Sequence, residues 1–102
     1  MRGNRQYKID ANHKAVADAL RAVGASVQSL AVVGGGAPDI LAGARGKNFL
    51  FEVKDCKAPP SKRRLTKDEL RWHNDWRGQV VTVDSPEEAI AAFLILTLGN
   101  PK

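Results

Sequence analysis

Cysteine is almost absent from this chain of 102 residues, in which Cys56 stands alone. A disulfide within the chain is therefore excluded, and a structural zinc site would lack its usual thiolates. The longest strongly apolar stretch, 89–98, is about half as long as the roughly 20 residues that a membrane-spanning helix needs. The segment 1–5 leads into no apolar run, so we expect no signal peptide. These absences predict a protein of the reducing cytoplasm that is neither secreted nor membrane-bound.

An excess of positive charge is the main compositional feature that the chain does have. Lysine and arginine number 16 against 11 acidic residues, which gives a net charge of +5, and 43% of the residues are hydrophobic. That apolar fraction is enough for one core, so we predict a single domain over 1–102 with a basic arm over 1–9. The charge favours a polyanionic partner, although +5 is a modest value on its own.

The pattern of apolar residues and helix start signals predicts an α/β domain with the element order αβββαβα. Thr66 with Glu69, and Ser85 with Glu88, are spaced as start signals for the last two helices. Because three strands follow one another without a helix between them, we expect a mixed sheet. The predicted elements are helices over 11–23, 66–78 and 86–98, strands over 26–33, 39–42, 48–54 and 79–83, and a loop over 57–64.

The strand over 48–54 carries the residues that suggest chemistry. Side chains alternate along a strand, so its two phenylalanines share a core face, while Glu52 and Lys54 lie on the other face. Asp39 lies twelve intervening residues before Glu52, and a hairpin turn over 43–47 would bring the two carboxylates to one strand end. A slip of one residue in this pairing would move Asp39 to the wrong face.

The carboxylates of Asp39 and Glu52 would repel each other at this distance, unless a divalent cation neutralised them. Ligation by oxygen suits Mg²⁺ or Mn²⁺, with positions left open for water and a phosphate oxygen. Such a cation could activate water, and Lys54 could orient it and stabilise charge on the phosphoryl oxygens. Each residue can also be interpreted without a function, with Asp39 as a turn residue and Glu52 with Lys54 as an ion pair. Together they predict hydrolysis of a phosphodiester.

The same residues carry a family resemblance. Pro38-Asp39 followed after twelve residues by Glu52-Val53-Lys54 resembles the PD-(D/E)XK nuclease motif. Over residues 9–92 the chain is similar to the VRR-NUC family, in particular to its compact stand-alone members from phages and bacteria. The matching segments are Gly36-Ala37-Pro38-Asp39-Ile40, Phe51-Glu52-Val53-Lys54, Leu65-Thr66 at a helix start, and Gly78 before Val80-Val81.

The resemblance implies a restriction-endonuclease-like αβββαβ core with a mixed central sheet flanked by helices, plus a C-terminal helix. It implies a DNA endonuclease that needs Mg²⁺ or Mn²⁺ and acts in the cytoplasm of a bacterial or phage-infected cell. Asp39, Glu52 and the Val53 carbonyl would be the metal ligands. The catalytic residues would be Asp39, Glu52 and Lys54. Compact family members also suggest a homodimer that acts on branched DNA such as four-way junctions or flaps.

The sequence departs from the family pattern at two supporting positions. Related nucleases often carry a glutamate on the first helix, where this chain offers Asp10, Asn12 and His13 instead. Family members also often carry a glutamine early in the helix after the motif strand, and Glu69 or Leu70 stands in that region here. We therefore expect Asp10, Asn12, His13 or Glu69 to take any supporting role, and we expect no second metal.

The densest basic region follows the proposed active strand, since residues 54–77 hold 8 Lys and Arg against 4 Asp and Glu. A solvated loop and helix face is one interpretation, and a phosphate-contacting surface is the other, which the position after Lys54 favours. Trp72, His73 and Trp76 could stack on bases or pack in the core. The expected DNA contacts are Lys57, Lys62, Arg63, Arg64, Lys67 and Arg71.

Two other functions remain open at this point. The chain could be a non-catalytic nucleic-acid-binding module that keeps a nuclease fold, or a phage accessory protein with a structural role. Binding that weakens steeply as salt rises would favour a nucleic-acid partner over the second of these. If the protein is a homodimer, we expect the apolar last helix to form the contact, through Ile90, Phe93, Leu94 and Leu96.

Overall fold

Residues 11–98 are described by the structure, a computed structural model, and they form a mixed sheet flanked by helices. The predicted α/β class and the C-terminal helix are confirmed. The elements are α1 (Ala11–Ala22), β1 (Ser26–Ser29), β2 (Ile40–Ala44), β3 (Lys47–Val53), α2 (Pro60–Arg63), α3 (Lys67–Asp75), β4 (Val80–Val83) and α4 (Pro86–Leu98).

The sheet has the strand order β1-β2-β3-β4. β1, β2 and β3 pair antiparallel, as expected for strands joined by short connections. β4 pairs parallel with β3, because α2 and α3 carry the chain back across the sheet between these two strands. The prediction of a mixed sheet is therefore confirmed.

A tight turn sets the pairing of β2 with β3. Ala44 pairs with Lys47, so that only Arg45 and Gly46 lie between the strands, with φ angles of 55° and 77°. Two consecutive positive φ angles are typical of the type I′ turn, whose twist matches that of an antiparallel hairpin. This turn gives the register in which Ile40 lies opposite Phe51.

The core lies between one face of the sheet and two helices, α1 and α4. Phe49 and Phe51 project from β3 into it and are at most 1% exposed. α1 contributes Val16 and Leu20, and α4 contributes Phe93, whose ring packs edge-to-face on Phe49 with the centroids 6.4 Å apart. The opposite face of the sheet carries Glu52, and α3 lies on that side, where its Glu69 contacts Lys54.

α4 corrects the expected dimer surface. Phe93 is 4% exposed and Leu96 packs against the core, so these two residues are not available to a second chain. Of the other two expected residues, Ile90 is half-buried and Leu94 is 45% exposed, and Ile95 and Leu98, which were not predicted, are exposed at 69% and 67%. Within residues 11–98, no helix has both the length and the apolar character that crossing a membrane requires.

Several predicted boundaries are wrong by a few residues. β1 ends at Ser29 rather than at 33, because turns and three glycines with positive φ follow it. α3 ends at Asp75, and Trp76 is already extended at ψ 129°, so the helix does not reach Gly78. The expected loop over 57–64 contains α2, with Pro60 in its first turn.

Candidate functional site

Asp39 is held beside Glu52 by hydrogen bonds on three sides. Its N–H donates to the Phe51 carbonyl at 3.0 Å, which extends the β2–β3 register by one residue. Its carbonyl accepts from the Leu30 N–H at 2.7 Å. Its carboxylate Oδ2 accepts from the Val53 N–H, also at 2.7 Å. The hairpin thus brings together the two carboxylates that the sequence pattern singled out.

The carboxyl group of Glu52 is buried in the protein. It is 2% exposed, and its Oε1 has no hydrogen-bond partner among the described residues. Burial raises the pKa of Glu52 to about 9, and the nearby Asp39 and Glu69 carboxylates act in the same direction. Without a further cation at the site, the group is therefore protonated at neutral pH.

Lys54 supplies one positive charge at the centre of this cluster. Its Nζ lies 2.7 Å from Glu69 Oε1 and 3.7 Å from Glu52 Oε2. Burial would raise the pKa of Glu69, but the hydrogen bonds from Lys54 and Thr66, together with the charge of Lys54, outweigh it and lower that pKa. Glu69 therefore stays ionised and holds the ammonium group beside the carboxylates.

Glu69 also caps the start of α3 through its side chain. Its Oε1 accepts from the Thr66 N–H at 2.8 Å, while the Thr66 hydroxyl accepts from the Glu69 N–H at 3.1 Å. This is the reciprocal capping box that the sequence predicted. Glu69, one of the residues expected to have a supporting role, thus contacts both the helix start and Lys54.

His73 is a member of the cluster that the sequence reasoning missed. Its Nε2 lies 4.0 Å from Glu52 Oε1, and neither buried atom has a hydrogen-bond partner among the described residues. Burial lowers the pKa of His73, and the charge of Lys54 adds to this against that of Glu69. The signal was present, because His73 follows Glu69 by four residues and so shares its helix face.

Gly36 allows α3 to approach the site. A Cβ atom at this position would overlap the Asp68 carbonyl and stand 2.9 Å from the Glu69 N atom. Its φ of 86° also lies in the region that favours glycine. The triple glycine therefore places the backbone before Asp39 directly against the first turn of α3.

Two of the supporting residues expected on the first helix, Asn12 and His13, lie among the described residues. Asn12 donates through its Nδ2 to the Lys54 and Asp84 carbonyls, and so ties the start of α1 to the ends of β3 and β4. His13 is buried and lines a cleft with Val27, on the helix-covered side of the sheet. Asn12 can thus position the active strand through its backbone, and Asp10 lies outside the described residues.

The residues expected to contact DNA are all on the surface. Six cations of the segment after β3 are exposed, and within residues 11–98 none of them forms an ion pair. Two further cations, Lys14 and Arg21, are instead paired with Asp18 on α1. The exposed cations are Lys57, Lys62, Arg63, Arg64, Lys67 and Arg71.

The two tryptophans do not enter the core. Trp76 is 45% exposed and stacks on the half-buried Trp72, with ring centroids 4.6 Å apart and an interplanar angle of 19°. Core packing of this pair, one of the two interpretations of its spacing, is therefore wrong. The pair stands instead on the same face of α3 as Glu69 and His73.

The oxygen donors of this site and its unpartnered Glu52 oxygen fit a hard divalent cation. Asp39, Glu52 and the Val53 carbonyl offer only oxygen atoms, which Mg²⁺ and Mn²⁺ accept. The buried, unpartnered Glu52 Oε1 and the mutual repulsion of the carboxylates are what a cation would relieve. Among residues 11–98, no three His, Cys, Asp or Glu side chains are gathered into a ready-made metal site. The fit therefore depends on two carboxylates and a main-chain carbonyl.

Comparison of the chain with protein-family models, with curated proteins and with solved structures found no match in any of the three.

Proposed function

We propose that this protein is an endonuclease that requires Mg²⁺ or Mn²⁺ and hydrolyses DNA phosphodiester bonds, with a preference for branched DNA such as four-way junctions or flaps. The observation that carries the proposal is the convergence of Asp39, Glu52 and Lys54 at the end of β3, with Glu52 buried and one of its oxygens unpartnered. The exposed cations after β3 support a polyanionic substrate at the same end of the molecule. Such an enzyme would act in the cytoplasm of a bacterial or phage-infected cell.

In this proposal each residue of the cluster has a defined role. Asp39, Glu52 and the Val53 carbonyl would hold the cation, which when bound lowers the pKa of water and neutralises charge on phosphoryl oxygens. Lys54 would hold a non-bridging oxygen of the scissile phosphate through its Nζ protons and stabilise the charge that builds up there. Glu69 would keep the ammonium group in place, because its Oε1 accepts from Nζ at 2.7 Å.

Cleavage by matched variants tests this proposal. We expect wild-type protein with Mg²⁺ or Mn²⁺ to cut labelled DNA, and Asp39→Asn and Lys54→Met each to cut at least about 100-fold more slowly. Asn at position 39 keeps an oxygen that can accept from the Val53 N–H, so the hairpin should remain folded. Asp75→Asn, at the exposed end of α3, is the control and should cut normally.

Binding measured in the same variants separates catalysis from recognition. Both active-site variants should still bind DNA in EDTA, since neither position belongs to the exposed basic surface, and Lys54→Met should lose only the one phosphate contact proposed for it. A wild-type protein that binds DNA but cuts no linear, flap or junction substrate with either metal would contradict the proposal. That result would favour the non-catalytic binding module.

We also propose that the protein works as a homodimer through the outer face of α4. Leu94, Ile95 and Leu98 present exposed apolar surface there, and α4 carries no basic residue in its last turn. A dimer would cover this surface and place two sites on one branched substrate. Light scattering should give twice the monomer mass for wild type and the monomer mass for Ile95→Lys. A wild-type monomer at working concentrations would overturn this part of the proposal.

A further inference from the structure

Trp76 is an exposed aromatic side chain whose orientation is fixed from two sides. On one side its ring stacks on Trp72 at 4.6 Å. At the indole nitrogen lies Gly78, where a Cβ atom would stand 2.9 Å from Trp76 Nε1, and the ring also lines a groove. Because any side chain at 78 would have to displace the indole, Gly78 lets it lie close against the backbone. An indole that is 45% exposed and held in this way is a rigid platform.

The platform forms one wall of a groove on the sheet. Leu41 and Leu50 line the groove, and they lie opposite each other in the β2–β3 register. The exposed amide side chains of Asn48 and Gln79 stand at its edge. The groove therefore offers an apolar floor, an aromatic wall and a polar rim, which matches a flat ring with hydrogen-bonding groups on its edge.

The groove lies close to the carboxylate cluster. Leu50 precedes Glu52 by two residues on β3, so the two side chains share a sheet face and are separated by about 7 Å along the strand. α3 joins the two places, since Glu69 in its first turn contacts Lys54 and Trp76, directly after its last residue, lines the groove. The distance from the groove to the carboxylate cluster corresponds to about one or two nucleotides of a DNA strand.

We propose that this groove binds one unpaired nucleobase of the DNA strand that is cut, with the base stacked on Trp76. The proposal rests on the proposed action on DNA and names the feature of the substrate that the protein selects. Charge supports a nucleotide over an uncharged aromatic ligand, because the exposed Arg77 directly follows Trp76 in the sequence.

The base must be unpaired because of the way in which an indole stacks. In a continuous duplex the two faces of each base are covered by its neighbours. A fixed indole beside the sheet can therefore stack only on a base that has left the helix or lies at a junction, gap or tail. The groove thus accounts for selectivity towards branched DNA without any contact to a particular base sequence.

Three DNA ligands of similar charge test the groove. They are a short duplex, the same duplex with a single-stranded thymidine tail, and the same duplex with an abasic tail, all bound in EDTA so that nothing is cut. Wild type should prefer the thymidine tail to the abasic tail by about tenfold or more. Trp76→Ala and Gly78→Ala should reduce this preference, and Trp76→Phe should keep most of it.

A fluorescence measurement and a control variant complete the test. In a Trp72→Phe protein, emission comes from Trp76 and should be quenched by the thymidine tail and not by the abasic one. Val23→Ala, an exposed apolar residue after α1, should bind all three ligands like wild type. Thermal unfolding of each variant checks that it is folded.

The outcomes separate this inference from the proposed function. Wild type that binds all three DNA ligands without preferring bases would overturn the groove proposal alone. Equal weakening of all three ligands by Trp76→Ala would also overturn it. A protein with the Trp76-dependent preference that cuts no DNA would keep the groove and contradict the nuclease. A protein that binds no DNA at all would contradict both proposals.

Discussion

Glu52 is the residue whose surroundings differ most from those of an ordinary carboxylate. It lies on β3 within a sheet, is almost completely buried and faces two other acidic side chains. Its pKa is raised from 4.5 to about 9, so the folded protein holds a proton that the unfolded chain has already released over this range of pH. The contribution of Glu52 to the free energy of unfolding of the metal-free protein therefore falls as the pH rises between these two values.

Glu52→Gln tests this linkage. For wild type in EDTA, Glu52 should make the free energy of unfolding fall by at most about 1.4 kcal/mol per pH unit between its two pKa values. Glutamine does not titrate, so the difference between the wild-type and variant curves should be largest at high pH and vanish below the unfolded pKa. Urea unfolding at a series of pH values measures it. Glu87→Gln, on the exposed start of α4, should follow wild type. Parallel curves for Glu52→Gln and wild type would contradict the raised pKa.

At the scale of single residues, the sequence predicts that Asp39 and Glu52 lie side by side, but it does not predict how deeply Glu52 is buried. The alternation along β3 and the hairpin spacing were enough to place Asp39 beside Glu52. They carried no information on α3, whose approach leaves Glu52 at 2% exposure and brings His73 near it. Burial of this kind depends on the packing of distant elements, which local spacing does not encode.

α3 is the element on which the site depends most and the core depends least. None of its residues is buried, so its position comes from a few contacts at its first turn. Gly36 packs against the Asp68–Glu69 backbone, and Glu69 joins the helix start to Lys54. Any change that moves this turn should disturb the carboxylate cluster.

Gly36→Ala and Gly35→Ala form a matched pair for this contact. Both glycines have positive φ, but only Gly36 lies against α3, and a Cβ at Gly35 would meet nothing within 4 Å. Gly35→Ala should cost about 1–2 kcal/mol of unfolding free energy from the backbone conformation alone. Gly36→Ala should cost about 1–3 kcal/mol more because of the overlap, and it should also slow DNA cleavage. Equal effects in chemical denaturation and cleavage would show that the close approach does not matter.

The elements themselves could be predicted where a local chemical signal marks them. The capping box of Thr66 and Glu69 located the start of α3, and the Arg45–Gly46 turn agrees with the expected hairpin. The end of α3 was misplaced because Gly78 resembles a helix terminator, whereas it lies beside the Trp76 indole after the helix has ended. The cause of that error is a side-chain contact, which a pattern of residue types does not reveal.

At the scale of the whole molecule, charge is unevenly distributed. The exposed cations of the segment after β3 are free of ion pairs within residues 11–98, whereas Lys14 and Arg21 on α1 are paired with Asp18. The segment that directly follows Lys54 therefore offers exposed positive charge without an ion pair within residues 11–98. This distribution is what a surface that follows a phosphate backbone requires.

Salt dependence measures how many of these cations contact phosphates. Replacement of Lys62, Arg63 and Arg64 together by alanine should weaken DNA binding and reduce the slope of log affinity against log salt by about 2 to 3. The double variant Lys14→Ala with Arg21→Ala removes two cations from α1 and should leave the slope unchanged. Fluorescence anisotropy over a range of salt concentrations gives both slopes. An unchanged slope in the triple variant would place the DNA elsewhere on the protein.

The carboxylate of Glu69 has a consequence for how the protein becomes active. A single oxygen, Oε1, accepts both from the Thr66 N–H that opens α3 and from the ammonium group of Lys54. Winding of the helix and positioning of the lysine are therefore one cooperative event. A chain in which α3 has locally unwound keeps its core and its sheet but leaves Lys54 without its anchor. In the proposed mechanism, local unfolding of these nine residues would thus disable Lys54 before the protein as a whole denatures.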